Sequence, residues 1–255
     1  MDWHRRYLQQ AVWTHDLRAY LLERAGLPAA RRLLEVGCGT GAVMSDLWPS
    51  EENPLMPTKH SRGFACGVDT DPGAAVQCRV NAPFASVARA DGLALPFADQ
   101  VFDIVYCHFF LLWVRDPLAA LLEMKRVAAK EGQILAFAEP DYAHRIDQPP
   151  ELAFAGVLQT RSLQLQGVDV AIGSHIAELF SRAGIHVIES GQIKSQPLAP
   201  PHGQEGLEEW PMLRFDLDRL ISSEELDRIQ ELDAKARRLG VRRIHVPTYF
   251  AWGQV

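Results

Sequence analysis

Three alternate glycines, Gly37, Gly39 and Gly41, follow the apolar run Leu33-Leu34-Glu35-Val36, with an acid two positions before the first of them. A buried parallel strand that ends in such a turn lets a ligand lie against bare backbone. Glycine adopts angles that other residues resist, and it has no Cβ to collide with the ligand. Cys38 and Thr40 fill the intervening positions, and Ala42 completes a G-x-G-x-x-A spacing, the dinucleotide fingerprint. Two further acids end later apolar runs. Gly67-Val68-Asp69-Thr70 places a carboxylate where a ribose would lie, and Ala90-Asp91-Gly92-Leu93 places one that could accept from an adenine amine. Leu95, Phe97 and Phe102 are expected to sandwich that ring.

Proton-transfer candidates stand past two later strands. His108 follows the apolar segment Val101–Cys107, and its imidazole could take a proton from a hydroxyl or an activated carbon, or simply wall the site. Glu139-Pro140-Asp141-Tyr142 ends the next strand. Glu139 or Asp141 could orient or deprotonate a substrate, or terminate the strand and cap the next element. Tyr7 and Trp13 could reach a cation through their ring faces, or pack as core. Arg18 could meet a carboxylate or lie on a solvated face, and Trp113 is expected to pack beneath a cap. No His/Asp/Glu cluster has metal-ligand spacing, and Cys38, Cys66, Cys78 and Cys107 form no CxxC pair, so no metal is expected.

The elements that must position these residues alternate strand and helix between about 31 and 140. That rhythm implies βαβ units and a parallel sheet. Strands are expected at Arg32–Val36, Gly63–Val68, Ser86–Arg89, Val101–Tyr106 and Gln133–Ala138, with two more at Ile185–Glu189 and Thr248–Gly253. A crossover helix with proline in its first turn begins at Asp116-Pro117. Residues 1–26 read as an amphipathic helix through Tyr7, Leu8, Val12, Leu17, Leu21 and Leu22. Residues 48–62 read as an insertion, and 141–172 as a cap with its own helix from Glu151. Ser222 and Glu225 form a capping box opening a helix at 223–239, whose basic end (Lys235, Arg237, Arg238, Arg242, Arg243, His245) reads as solvated.

With 255 residues, 47% hydrophobic and 23% charged, the chain can bury a sizeable core. A net charge of −6 argues against a dedicated nucleic-acid binder. No apolar run approaches a membrane span, and Met1–Arg6 lacks the apolar core of a signal peptide. The expectation is a reduced, cytoplasmic protein.

The ordered series "LLEVGCGTG", "GVDTDP", "ADGLALPFADQVFDIV" and "DPLAALLEMKRV" resembles the class I S-adenosylmethionine-dependent methyltransferases over about residues 30–140, with weaker similarity at Gly173–Ile188. The resemblance implies a seven-stranded sheet whose last strand runs antiparallel. It implies that Glu35 supports the loop and the methionine amino group, and that Gly37, Gly39 and Gly41 give room for the methionine part. Asp69 would hold the ribose and Asp91 the adenine amine, with Cys38, Thr40, Thr70 and Gly92 beside them. Cys107 and His108 would line the sulfonium end. No Asn-Pro-Pro-Tyr or Asp-Pro-Pro-Tyr follows the fourth strand, where Cys107-His108-Phe109-Phe110 stands instead, which disfavours base or glutamine methylation.

The expected fold is therefore α/β: a doubly wound, Rossmann-like, seven-stranded, mostly parallel sheet with a helical N-terminal lid and an inserted cap. One methyltransferase domain would span 1–255, with the lid at 1–30, the cofactor core at 31–140, the cap at 141–172 and completing elements at 173–255. The expected cofactor is S-adenosylmethionine and the expected partner a small-molecule acceptor at oxygen, carbon or nitrogen. A methyltransferase acting on protein or RNA, and a non-catalytic cofactor-binding regulator, are the alternatives.

Overall fold

The computed structural model describes residues 3–47, 64–193 and 205–255. The expected insertion at 48–62 lies outside the described residues. In chain order the elements are α1 (Trp3–Arg24), β1 (Arg32–Val36), α2 (Ala42–Asp46), β2 (Phe64–Asp69), α3 (Pro72–Asn81), β3 (Ser86–Arg89) and β4 (Phe102–Cys107). Next come α4 (Pro117–Val127), β5 (Ala128–Pro140), β6 (Ile146–Gln148), α5 (Ala153–Leu165), α6 (Ile172–Arg182) and β7 (His186–Gln192). The last are α7 (Glu205–Leu217), α8 (Ser223–Arg238), β8 (Arg243–His245) and β9 (Thr248–Gln254). All seven expected strands are present, and they form one sheet in the order β3-β2-β1-β4-β5-β9-β7. β9 runs antiparallel to both β5 and β7, while the other pairings are parallel.

The period-two alternation of a strand divides the apolar residues between two faces. Leu34, Val36, Val105, Cys107, Ile134 and Ala136 join one core with Leu121, Met124 and Phe180 of α4 and α6. Leu33, Ile104, Tyr106, Leu135 and Phe137 join the other with Ala11, Leu21 and Leu22 of α1. Each fully buried leucine of α1 contributes roughly 1.5–3 kcal/mol, so α1 is a packed layer on the sheet. Its buried stripe is the expected one in part: Leu21 and Leu22 are buried and Tyr7 and Leu17 pack against the same core. Val12 is 74% exposed and Leu8 lies on the surface, while Ala11, Thr14, Arg18, Leu21 and Leu22 face inward. Arg18 reaches inward to Asp46, its Nη2 donating to Oδ2 at 2.5 Å.

Two buried acids hold the parts that surround the sheet's carboxyl end. Glu139, at the end of β5, is fully buried, and its carboxylate accepts main-chain N–H bonds from Phe110 and Leu111 at 3.0 Å and from Leu112 at 3.2 Å. It thereby pins the turn after β4. Asp147, on β6, accepts from Arg145 Nε and from Arg242 Nη2, each at 2.7 Å, and Arg242 Nε also donates to Asp233 of α8 at 2.6 Å. Arg242 is therefore a buried cross-link, not part of a solvated helix end as its basic neighbours suggested. With the antiparallel pair β6–β8, it ties the region after β5 to the C-terminal helices. The capping box at Ser222 and Glu225 is formed as expected.

Removing one partner from a buried ionic network leaves an uncompensated charge, at a cost of about 3–5 kcal/mol. Arg242→Met is expected to lower the urea unfolding free energy by that amount, and a loss below about 1 kcal/mol would contradict the cross-link. Glu139 supplies a pH signature. Burial raises its carboxyl from 4.5 to about 7, against the opposing pull of the three main-chain N–H groups. A raised folded-state value stabilises fully below the unfolded value and is lost as pH rises through about 7. Between those limits the native chain should lose about 3 kcal/mol relative to Glu139→Gln, and parallel stability curves for the two proteins would contradict it.

Candidate functional site

The glycine turn after β1 has the left-handed backbone its composition demands, with φ of 74° at Gly37, 49° at Gly39 and 81° at Gly41. The three serve different neighbours. A Cβ on Gly37 would stand 2.5 Å from the Phe110 ring, and one on Gly92 would stand 2.6 Å from the same ring. Phe110 therefore lies between the turns after β1 and β3. A Cβ on Gly41 would meet Cys78 Sγ at 2.8 Å, so this glycine lets α3 approach and does not face the cavity. Asp69 clamps the turn from β2, its Oδ2 accepting from Gly39 N–H at 2.8 Å and its Oδ1 from Asp71 N–H at 2.9 Å. A carboxylate has about four lone-pair sites, so Asp69 retains capacity toward a ligand. Asp91 accepts from Leu93 N–H at 2.9 Å in the same manner.

The turn pinned by Glu139 carries the candidate base. Phe109 has φ of 50°, a left-handed conformation costing on the order of 1–3 kcal/mol in a non-glycine residue. Its N–H donates to Ala138 O at 2.9 Å, and the Glu139 contacts come directly after it, so the neighbouring structure over-determines the strain. His108, just before it, is half-buried, and its Nε2 is hydrogen-bonded to Thr14 Oγ1 at 2.9 Å. Among the described residues Nδ1 has no partner. Arg18 Nη1 donates to Thr14 Oγ1 and to Ala11 O, which places a fixed positive charge behind the imidazole. Burial and that charge hold the His108 pKa well below its ordinary value, so the ring is neutral at neutral pH.

A cavity of about 820 Å³ spans the carboxyl edge of the sheet, within the roughly 300–1,000 Å³ usual for small-molecule sites. Of the residues singled out in the sequence, Glu35, Gly37, Cys38, Gly39, Asp69, Thr70, Asp91, Gly92 and His108 line it. Thr40, Gly41, Cys107, Glu139 and Asp141 do not. Thr40 faces His4, its Oγ1 lying 2.8 Å from Nδ1. Cys107 is fully buried against Glu139, with Sγ 4.0 Å from Oε1. Asp141 caps the short turn Tyr142–His144, accepting from His144 N–H. Glu139 and Asp141 are thus occupied in holding backbone, and only His108 of the three proton-transfer candidates reaches the cavity. None of the three residues expected to sandwich the adenine lines the cavity: Leu95 and Phe102 are core and Phe97 packs edge-on to Phe102 at 4.9 Å, while Leu93 lines it instead.

Tyr7 lies over the turn, its ring 3.3 Å from where a Gly39 Cβ would stand, while Trp13 packs on Phe109. Trp113 is 54% exposed at the cavity wall and not beneath a cap. Arg18 touches no ligand space, being spent on Asp46 and Thr14. Burial raises the Glu35 carboxyl well above its ordinary value, although Tyr106 Oη donates to it at 3.2 Å. Sequence reasoning missed Arg6 and Gln10 on α1, Gln159 on α5 and Gln166 just after it, and Phe215 and Asp216 on α7, all of which line the cavity. Nothing in the local pattern of those helices marks a ligand wall. Among the described residues no three His, Cys, Asp or Glu side chains are grouped to hold a metal ion, and no helix is long and apolar enough to cross a membrane.

Residues 34–136 match the family described as methyltransferase domain. Malonyl-[acyl-carrier protein] O-methyltransferase of Halorhodospira halophila is 31% identical over 147 residues, covering 55% of this chain and 47% of that protein. Demethylmenaquinone methyltransferase of a Roseiflexus species is 38% identical over 119 residues, covering 44% of each. The chain spans about half the length of these relatives. A solved structure of a candidate methyltransferase from Bacillus halodurans superposes with a TM-score of 0.61 at 14% identity, over 92% of this chain and 97% of that one, a likeness of fold. Strand order, the antiparallel β9, the glycine turn with its two acids and the domain match agree. Over residues 34–136 the chain is similar to the methyltransferase domain family, and its sheet order has the fold of the solved methyltransferase structure.

Proposed function

We propose that the chain transfers a methyl group from S-adenosylmethionine to a small-molecule acceptor. The observation that carries this reading is one cavity lined both by the glycine turn with Asp69 and Asp91 and by a neutral His108. α1, α5 and α7 all contribute to its wall, an arrangement suited to enclosing a small molecule. The relatives' names point to acceptors as different as a malonyl group on a carrier protein and demethylmenaquinone, so they favour no single acceptor for this chain. Four buried free thiols and the absence of a membrane-crossing helix among the described residues support a cytoplasmic location.

The residues present fit the cofactor. The main chain at Gly37–Gly39 would receive the methionine part, Asp69 and Thr70 the ribose, and Asp91 with Gly92 the adenine. Arg6 lines the same cavity, and its buried Nε has no partner, so its guanidinium can receive the amino-acid carboxylate. Glu35, with Cys38 beside it, would take the ammonium. When bound, the cofactor supplies a methyl group already activated by its sulfonium. The protein's remaining work is to orient the acceptor, exclude water and hold a base; orientation can lower such a barrier by roughly 7–11 kcal/mol. His108 stays in its basic form across neutral pH, held by Thr14.

Methyl-labelled cofactor incubated with separated extract fractions tests the reading. Label is expected in the low-molecular-weight fraction, and label confined to protein or RNA would overturn it. His108→Gln should lower the transfer rate about 10²–10⁴-fold with S-adenosylhomocysteine affinity retained. An unchanged rate would remove His108 as the base.

A further inference from the structure

Beyond the glycine turn, the cavity wall formed by α5 and α7 has a polar centre separate from Asp69 and Asp91. Asp216, in the last turn of α7, is 7% exposed and lines the cavity with Gln159 and Gln166. Gln159 Nε2 donates to its Oδ2 at 2.8 Å, and Gln166 Nε2 to its Oδ1 at 3.5 Å. Gln159 Oε1 accepts from Arg145, which fixes the amide with its N–H toward Asp216. Among the described residues no ion pair reaches the Asp216 carboxylate. Burial pushes its pKa up, against the hydrogen bonds of the two glutamines and the charge of Arg145. The last turn of a helix is also the unfavourable end for an acid. A carboxylate in this setting has unused lone pairs that a ligand's donor would satisfy.

The neighbouring walls are rings. Phe215 meets Trp3 edge-on at 6.0 Å, Trp3 stacks on Tyr7 at 6.2 Å, and Phe109, Trp113 and Tyr142 line the same cavity. Such surfaces favour a flat apolar partner through offset and edge contacts. We infer that the methyl acceptor is a planar ring compound without negative charge, whose hydroxyl or N–H donor lands on Asp216. The carboxylate selects for a donor and repels an anionic substituent at the same point. Asp216 is thus a specificity-determining residue of the acceptor site, and this assignment rests on the methyl-transfer reading above.

The test uses the full chain saturated with S-adenosylhomocysteine and three probes: 2-naphthol, 2-methoxynaphthalene and 2-naphthoate. 2-Naphthol is expected to bind roughly tenfold to a hundredfold more tightly than the methoxy compound, as for a hydrogen bond to a charged group. 2-Naphthoate should bind no better than the methoxy compound. Asp216→Asn, with its fold checked by S-adenosylhomocysteine affinity, should bring naphthol and methoxynaphthalene to within about twofold of each other. Equal affinities in the native protein, tightest binding of the naphthoate, or no binding of any naphthalene would overturn the assignment, with no need of the variant. Failure of S-adenosylhomocysteine itself to bind would instead overturn the cofactor reading beneath it.

Discussion

The buried carboxylate of Glu139 gathers the N–H groups of Phe110, Leu111 and Leu112 at the end of β5, and the cavity's central wall depends on that contact. Those donors belong to a tight turn after β4, where backbone N–H groups have no strand partner and burial without one would be costly. With the turn closed on Glu139, Phe109 is held in its left-handed conformation and Phe110 is directed between Gly37 and Gly92. His108 is delivered to the cavity by the same constraint. A residue that could pass for a catalytic acid is therefore the anchor that positions the candidate base.

The lid is joined to this wall by charge. Arg18, buried in α1, links Asp46 at the end of α2 to Thr14, and Thr14 holds His108. Asp69 holds Gly39 from the other side of the turn. Arg18 joins α1 to α2, and through Thr14 to the candidate base His108. Arg18 is paired with Asp46 through Nη2 and with Thr14 through Nη1, contacts that offset its removal from water.

The sheet was legible because strand alternation and the first-turn prolines depend on nearest neighbours. Asp116 and Asp71 cap α4 and α3 as local rules require. The ends of β1 and β2 were legible for the same reason, since glycine spacing reports backbone angles directly. Features that depend on distant partners were not. Leu21 and Leu22 announce part of the inward face of α1, but the place of Arg18 on it depends on Asp46, twenty-eight residues later, and no local pattern marks that. Glu139 and Asp141 sit at the correct edge of the sheet yet accept from backbone N–H groups, and Cys107 is buried against Glu139. Asp216 and Gln159 meet only when α7 docks on α5, so neither helix alone marks a ligand wall.

The account stands on the cofactor occupying the edge bounded by the glycine turn and Asp69. Isothermal titration calorimetry of the full chain with S-adenosylhomocysteine and with NAD, for the native protein and Asp69→Asn, addresses it most directly. The account predicts saturable S-adenosylhomocysteine binding, weakened about tenfold or more by the substitution through loss of charge-assisted hydrogen bonds, and no NAD binding. Tight NAD binding without S-adenosylhomocysteine binding, or an affinity indifferent to Asp69, would contradict it.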